Sequence, residues 1–306
     1  MPAPGSTSGA YKLGEAFVEL KAKDAGFIKK IVGASIGLSS LTAMLTTAAT
    51  AAINFEKQMA KVSVMLVDGA TKFLPAYSKG VQELAVRFGD STKSLTQGLY
   101  DILSATQPAA VAMHTLEISA EAAIAGMTST AVAAKTISGF MNAYNINVTK
   151  AGDVSDWMFE IIRRGQIEFP GLAAQLGQAA SSASLVGLSM EELGAAISTV
   201  TRAGIPAGRA MTAINALMQA FLKPTELAEA IAKKYGFGMS TVTLKTMGLI
   251  GVLKELSRAN VKEIGATASR IRGIRALASL VKDITGFEAD LGFQAKRTGR
   301  RQEALA

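Results

Sequence analysis

An all-α fold is what this sequence predicts, and three observations carry that expectation. Apolar residues recur at three- and four-residue spacing, as in Leu95, Leu99 and Ile102 or Ile214, Leu217, Met218 and Phe221, which lays one apolar stripe along a helix. The 49% hydrophobic content comes mainly from Ala, Leu, Ile, Val and 13 Met, with only 6% aromatic residues. That suits close helix-on-helix packing better than an aromatic-rich sandwich core. Capping residues precede the stripes and Gly or Pro follow them. With 18% charged residues in 306, the chain has material for a sizeable core, as two domains or as one with helical extensions.

The first 11 residues, opening Met-Pro-Ala-Pro-Gly-Ser-Thr-Ser-Gly, have the composition of a flexible end and lack the basic start of a secretory signal. Leu13, Phe17, Leu20, Phe27, Ile28 and Ile31 then open an N-terminal helix assigned to 12–62. Its segment 31–55 carries no charge, and 25 helical residues reach about 37 Å, enough to cross a bilayer. Fifteen of those residues are Ala, Gly, Ser or Thr, however, and Gly33 and Gly37 form a small-xxx-small step. That step favours close backbone approach to other protein as much as to lipid. Gly33, Gly37, Leu41 and Leu45 are thus candidates for helix packing or membrane entry.

A helical core is expected over 63–245. Val62, Met65 and Leu66 carry the first helix toward a stop near Asp68-Gly69, and Pro75 is read as opening the next. Asp90-Ser91 caps a helix near 92–105, which Pro108 follows. Val111, Leu116 and Ile124 mark another, and after a break at Gly126-Met127-Thr128 comes a helix near 130–145. A polar connection, Asn145 to Asp153, leads to Val154, Trp157, Met158 and Ile161, and Phe169-Pro170-Gly171 interrupts again. Ser189 and Glu192 form a capping box for a helix near 190–203. Gly204 suits the left-handed residue after it, and Pro206 the first turn of a helix near 207–222. Pro224 ends that helix, and Thr225 caps one running to Tyr235-Gly236. Val242-Thr243-Leu244 is the only stretch that would admit a strand. A basic C-terminal helical extension, 246–306, completes the chain, its last 15 residues reading as frayed.

The core echoes itself. Subtracting 77 pairs Leu172 with Leu95, Leu176 with Leu99, Ser181 with Ser104, Leu193 with Leu116, Ala210 with Ala133, Ile214 with Ile137, Met218 with Met141 and Phe221 with Tyr144. Either Ala-rich helices supply chance identities, or two similar helical units pack together because neither buries its apolar face alone.

Charge and motifs limit the chemistry. The net charge of +8 permits an acidic partner such as nucleic acid, anionic lipid or an acidic protein surface. Arg270, Arg272, Arg275, Lys296, Arg297, Arg300 and Arg301 are the basic partner-contact candidates, with a solvated helix face as the ordinary alternative. The absence of cysteine excludes disulfides and thiolate sites, and His114 is the only histidine. Ser279-Leu280-Val281-Lys282 lacks the companion motifs of a serine–lysine enzyme, and Gly236-Phe237-Gly238 lacks the third glycine of a dinucleotide turn. Asp101, Glu117 and Glu121 fit solvated helix faces. No catalytic, metal or cofactor-binding residue is assigned, and no enzyme is expected.

Several stretches, in this order and spacing, resemble the core of bacteriophage tail tape-measure proteins: Phe55-Glu56-Lys57-Gln58-Met59, Leu84-Ala85-Val86-Arg87-Phe88-Gly89-Asp90-Ser91, Gly187-Leu188-Ser189-Met190-Glu191-Glu192-Leu193-Gly194-Ala195-Ala196, Arg202-Ala203-Gly204-Ile205-Pro206-Ala207-Gly208-Arg209-Ala210-Met211 and Lys223-Pro224-Thr225-Glu226. The resemblance covers roughly 55–245; Thr106 departs from it, standing where relatives often have glycine. It implies a mostly helical structural virion protein, assembled in the host cytoplasm, lying in several copies inside the tail tube and leaving ahead of the DNA. The implied partners are other copies, the tail tube protein, tail-assembly chaperones and baseplate or tail-tip proteins, with host membrane and DNA as further contacts. Such proteins usually continue for hundreds of residues of long helix, so a chain that stops at Ala306 is read as a fragment, a processed form or a tape measure for a short tail, and any helix missing after Ala306 would share in measuring length. A membrane-active helical protein, pore-forming or injected, is the alternative from another class; a nucleic-acid-binding helical module resting on the C-terminal arginines is a third, weakened by the absence of an aromatic-interleaved basic stripe.

Replacing both Gly33 and Gly37 with Leu is expected to weaken self-association in crosslinking, because the larger side chains hold helix backbones apart. Unchanged crosslinking, together with no lipid partitioning of the isolated segment, would remove the basis for both roles of 31–55.

Overall fold

Local chemistry sets several helix starts in the computed structural model, which describes residues 38–66, 69–105, 108–268 and 271–295. Ser91, Ser129, Ser189, Thr225, Ser240 and Asn260 each precede a helix and accept the backbone N–H three places on, satisfying a donor the helix cannot. Among the described residues there are fourteen α-helices, one short 3-10 turn and no strand. The chain divides into two compact units, 1–61 and 62–306.

Helix α1 (Leu38–Met65) is followed by four helices, α2 (Ala70–Phe88), α3 (Thr92–Ser104), α4 (Ala109–Ala125) and α5 (Thr130–Ala143). A 3-10 turn, Val148–Lys150, leads into a second four: α6 (Ala151–Arg164), α7 (Phe169–Val186), α8 (Met190–Arg202) and α9 (Ala207–Leu222). Then come α10 (Glu226–Lys234), α11 (Thr241–Leu256), α12 (Val261–Thr267), α13 (Ile271–Lys282) and α14 (Ile284–Ala295).

The two groups of four share one plan. An offset of 77 carries Thr92 onto Phe169 and Thr130 onto Ala207, the first residues of α3 and α7 and of α5 and α9. In each group the first helix packs on the third, and the second packs on the fourth more extensively than on any other helix of its group. Leu95 and Leu172, Leu99 and Leu176, Leu116 and Leu193, Ala133 and Ala210, Ile137 and Ile214, and Met141 and Met218 are all buried, while Ser104 and Ser181 are both exposed. The internal echo is therefore an echo of helix order and of core positions.

The groups join where α5 lies against α7, and α13 and α14 then cover α9 and α8. Stacked amphipathic units bury a continuous core that one unit alone leaves open. Trp157 and Met158 lie in that core, fully buried, and the Trp157 indole N–H donates to the Met190 carbonyl at 2.9 Å. The Phe140 ring sits 4.2 Å from the indole, centroid to centroid.

Several local expectations need correction. Pro75 does not open a helix; it is the sixth residue of α2, where it removes one backbone donor just after the first turn. Val242-Thr243-Leu244 is helical, because Ser240 caps α11 and Leu244 is buried. The polar connection ends early, since α6 begins at Ala151, and helix continues through Ala295 into the stretch read as frayed. No described helix is long and apolar enough to cross a membrane. In α1 the small polar residues dilute the hydropathy, and residues 46–54 are exposed; Ile31 to Gly37 lie outside the described residues.

Gly248 breaks α11 with φ 68° and ψ 173°. A Cβ there would stand 2.5 Å from Glu192 Oε1, so the site requires glycine in both conformation and space. Glu192 Oε1 accepts the Leu249 N–H at 2.6 Å, while the same side chain reaches back to the Ser189 N–H in the capping box. One buried carboxylate thus starts α8 and restarts α11.

Glu192→Ala is expected to cost about 2–4 kcal/mol in urea denaturation, because it removes two caps and leaves a buried N–H unpaired. Ser189→Ala should cost about 1 kcal/mol. Equal costs for the two variants would show that the contact with α11 adds nothing.

Candidate functional site

Close approach of α13 to α9 builds an arginine-lined concavity. Gly273 permits it: a Cβ there would lie 3.3 Å from the Leu217 nitrogen and 3.4 Å from the Ala216 carbonyl carbon. Ala276, Leu277 and Leu280 are buried on α13, which leaves Arg272 and Arg275 toward solvent. With Arg209, Thr212 and Ala213 of α9 and the turn Gly204-Ile205-Pro206, they line an open cleft of about 480 Å³. Arg209, Arg272 and Arg275 are exposed, and none of their guanidinium groups forms an ion pair with a described residue. The N-terminal end of α9, with its partial positive charge, lies on the same side. Such an arrangement can hold an oxyanion; it offers no base, nucleophile or metal-ligand set.

Arginines facing α14 are treated differently. The Asp290 carboxylate is fully buried and accepts from Arg164 Nε at 2.7 Å, Arg202 Nη1 at 2.8 Å and Thr199 Oγ1 at 2.9 Å. Arg202 Nη2 also reaches Asp283 at 2.9 Å, and the Arg164 guanidinium lies 4.1 Å from the Phe293 ring centroid. Burial works against the Arg202 charge, but hydrogen bonds to Asp283 and Asp290 win and raise its pKa above the usual arginine range. These contacts fix α14 to α6 and α8.

Only part of the sequence-predicted site can be placed. Arg272 and Arg275 come together with Arg209, which sequence reasoning missed because its partners lie more than 60 residues away. Its one local signal is its place in the first turn after Pro206. Leu41 and Leu45 fall on α1, but their side chains lie outside the described residues. Gly33, Gly37, Arg270, Lys296, Arg297, Arg300 and Arg301 also lie outside them. His114 is exposed on α4. The Ser279 hydroxyl donates to the Arg275 carbonyl at 2.9 Å, a helix-internal bond that gives no sign of activation by Lys282. Glu117 pairs with Arg87, and Asp101 accepts from Gln97 at 3.1 Å. Among the described residues no group of three His, Asp or Glu could hold a metal ion.

Comparison with known proteins points one way. The model of a family described as phage-related minor tail protein matches residues 82–280, from within α2 to the end of the buried face of α13. A protein of Clostridium phage phiCD119 described as a probable tape measure protein is 30% identical over 170 residues. The alignment covers 54% of this chain and 18% of that protein, so the chain spans a small part of the relative's length. No solved structure matches.

Asp290→Asn is expected to lower stability by about 2–4 kcal/mol in urea denaturation. It leaves two arginines facing a neutral amide, and their partial exposure softens the loss. Asp283→Asn, at a carboxylate 46% exposed, should cost about 1 kcal/mol or less. A negligible effect of Asp290→Asn would show that α14 is held by packing alone.

Proposed function

Because the chain belongs to the phage-related minor tail protein family, we propose that it supplies the assembly and docking core of a tail tape measure, and that helix outside the core measures length. The supporting observation is the division of 63–245 into short packed helices. A fully helical chain of 306 residues could span at most roughly 460 Å at 1.5 Å per residue, and helices folded against one another do not add end to end. The core instead presents a fixed surface, which suits recognition of tail tube, chaperone and baseplate or tail-tip proteins. Copies associate side by side through α1, whose residues 46–54 are exposed and uncharged. In this reading the protein lies in the tail lumen and leaves ahead of the DNA.

That same exposed segment is what a membrane-active protein would use, so in-frame deletions are chosen to separate the two roles. Deletions in helix outside both 55–245 and the packed helices α11–α14 should shorten tails in electron micrographs by about 1.5 Å per residue removed. Deletions within the core should stop tail assembly. Tails of normal length after an outer deletion would overturn the ruler role and leave the membrane-active reading ahead.

A further inference from the structure

We infer that the cleft between α9 and α13 binds the phosphate groups of a nucleic-acid backbone through Arg209, Arg272 and Arg275. This inference rests on charge and geometry alone and does not depend on the tail role. The fold neutralises Arg164 and Arg202 with Asp290 and Asp283, yet it gathers three other arginines around one cleft with no described carboxylate against them. Like charges brought together repel, and a phosphate offers the missing countercharge in the form a guanidinium fork binds best, with two oxygens at once.

The cleft's shape narrows the class of anion. Arg272 and Arg275 stand three residues apart on α13, and Arg209 faces them from α9. All three are exposed, so they reach out to a polyanion lying across the cleft. No aromatic side chain lines it, which removes base stacking and leaves contact with the backbone, independent of sequence. A protein partner would find no deep apolar or aromatic anchor pocket. None of the exposed large apolar side chains lines the cleft, so it offers little to lipid chains. Thr212 spends its hydroxyl proton on the Gly208 carbonyl at 2.7 Å, which assigns the binding to the arginines. The net charge of +8 adds long-range attraction for a polyanion.

The test is fluorescence anisotropy of the full chain with a labelled duplex of arbitrary sequence, about 20 base pairs long, across a range of salt concentrations. Changing Arg209, Arg272 and Arg275 together to Gln is expected to weaken binding at least about tenfold. The slope of log K against log salt should become shallower by roughly 0.9 for each phosphate that is no longer neutralised. A control that removes the same charge from exposed Lys93, Lys223 and Lys262 should weaken binding by no more than about threefold, since it changes only the general field. Thermal melts check that both variants fold, and single changes at Arg272 and Arg275 should each flatten the slope by the amount due to one phosphate. The inference is overturned if the arginine variant behaves like the lysine control. It is equally overturned if the duplex does not bind while phosphatidylglycerol vesicles or a Glu-rich peptide bind through these arginines.

Discussion

Helix α9 keeps only a narrow stripe toward water, and the arrangement of the larger unit follows from that. Ten of its sixteen residues are buried, all of them between Ala210 and Phe221. One amphipathic neighbour cannot cover such a helix, so α7 takes one side and α13 the other. Small residues make the double contact possible: Ala210, Ala213, Ala216 and Ala220 are buried on α9, and Gly273 brings α13 to its backbone. Dense packing of this kind is sensitive to single methylene groups, because neighbours cannot move away without opening voids elsewhere.

The same constraint explains the roles of the two C-terminal helices. The first group of helices is covered on one side by the second, where α5 meets α7, and the second group needs an equivalent cover. Helices α13 and α14 supply it, one by apolar packing and the other with the help of a buried carboxylate shared by two arginines. The contrast between that neutralised network and the arginines beside α13, which meet no carboxylate among the described residues, is what singles out the cleft as a place for an external anion. Structure and interaction thus use the same residue type, distinguished by whether the fold provides a partner.

Much of the fold was legible because helix ends are written locally. The caps at Ser91, Ser189 and Thr225 and the turn at Gly204-Ile205-Pro206 placed four core helices to within about two residues. The offset of 77 was legible too, since equivalent core positions keep their burial. What escaped were features made by distant residues. The break at Gly248, inside the helical extension expected from 246, had no local signal, because the cap that lets the helix restart at Leu249 comes from Glu192, 57 positions before Leu249. Val242-Thr243-Leu244 looked strand-like from its branched side chains, but the Ser240 cap and the burial of Leu244 outweighed that weak preference. The candidate site was half legible: a basic C-terminal region drew attention to Arg272 and Arg275, while Arg209 became part of it only through tertiary packing. Arg164 meets Asp290 across 126 positions, a pairing that no local pattern announces.

The most direct test of this interdependent stack is amide hydrogen exchange on a chain ending at Asn260, compared with the complete chain. Removing α12–α14 uncovers α8 and α9, so their amides are expected to lose protection by orders of magnitude, while α3 and α5, covered by the second group and by each other, lose less. Unchanged protection in α8 and α9 would contradict the account, because it would mean that the second group buries its core without the C-terminal helices.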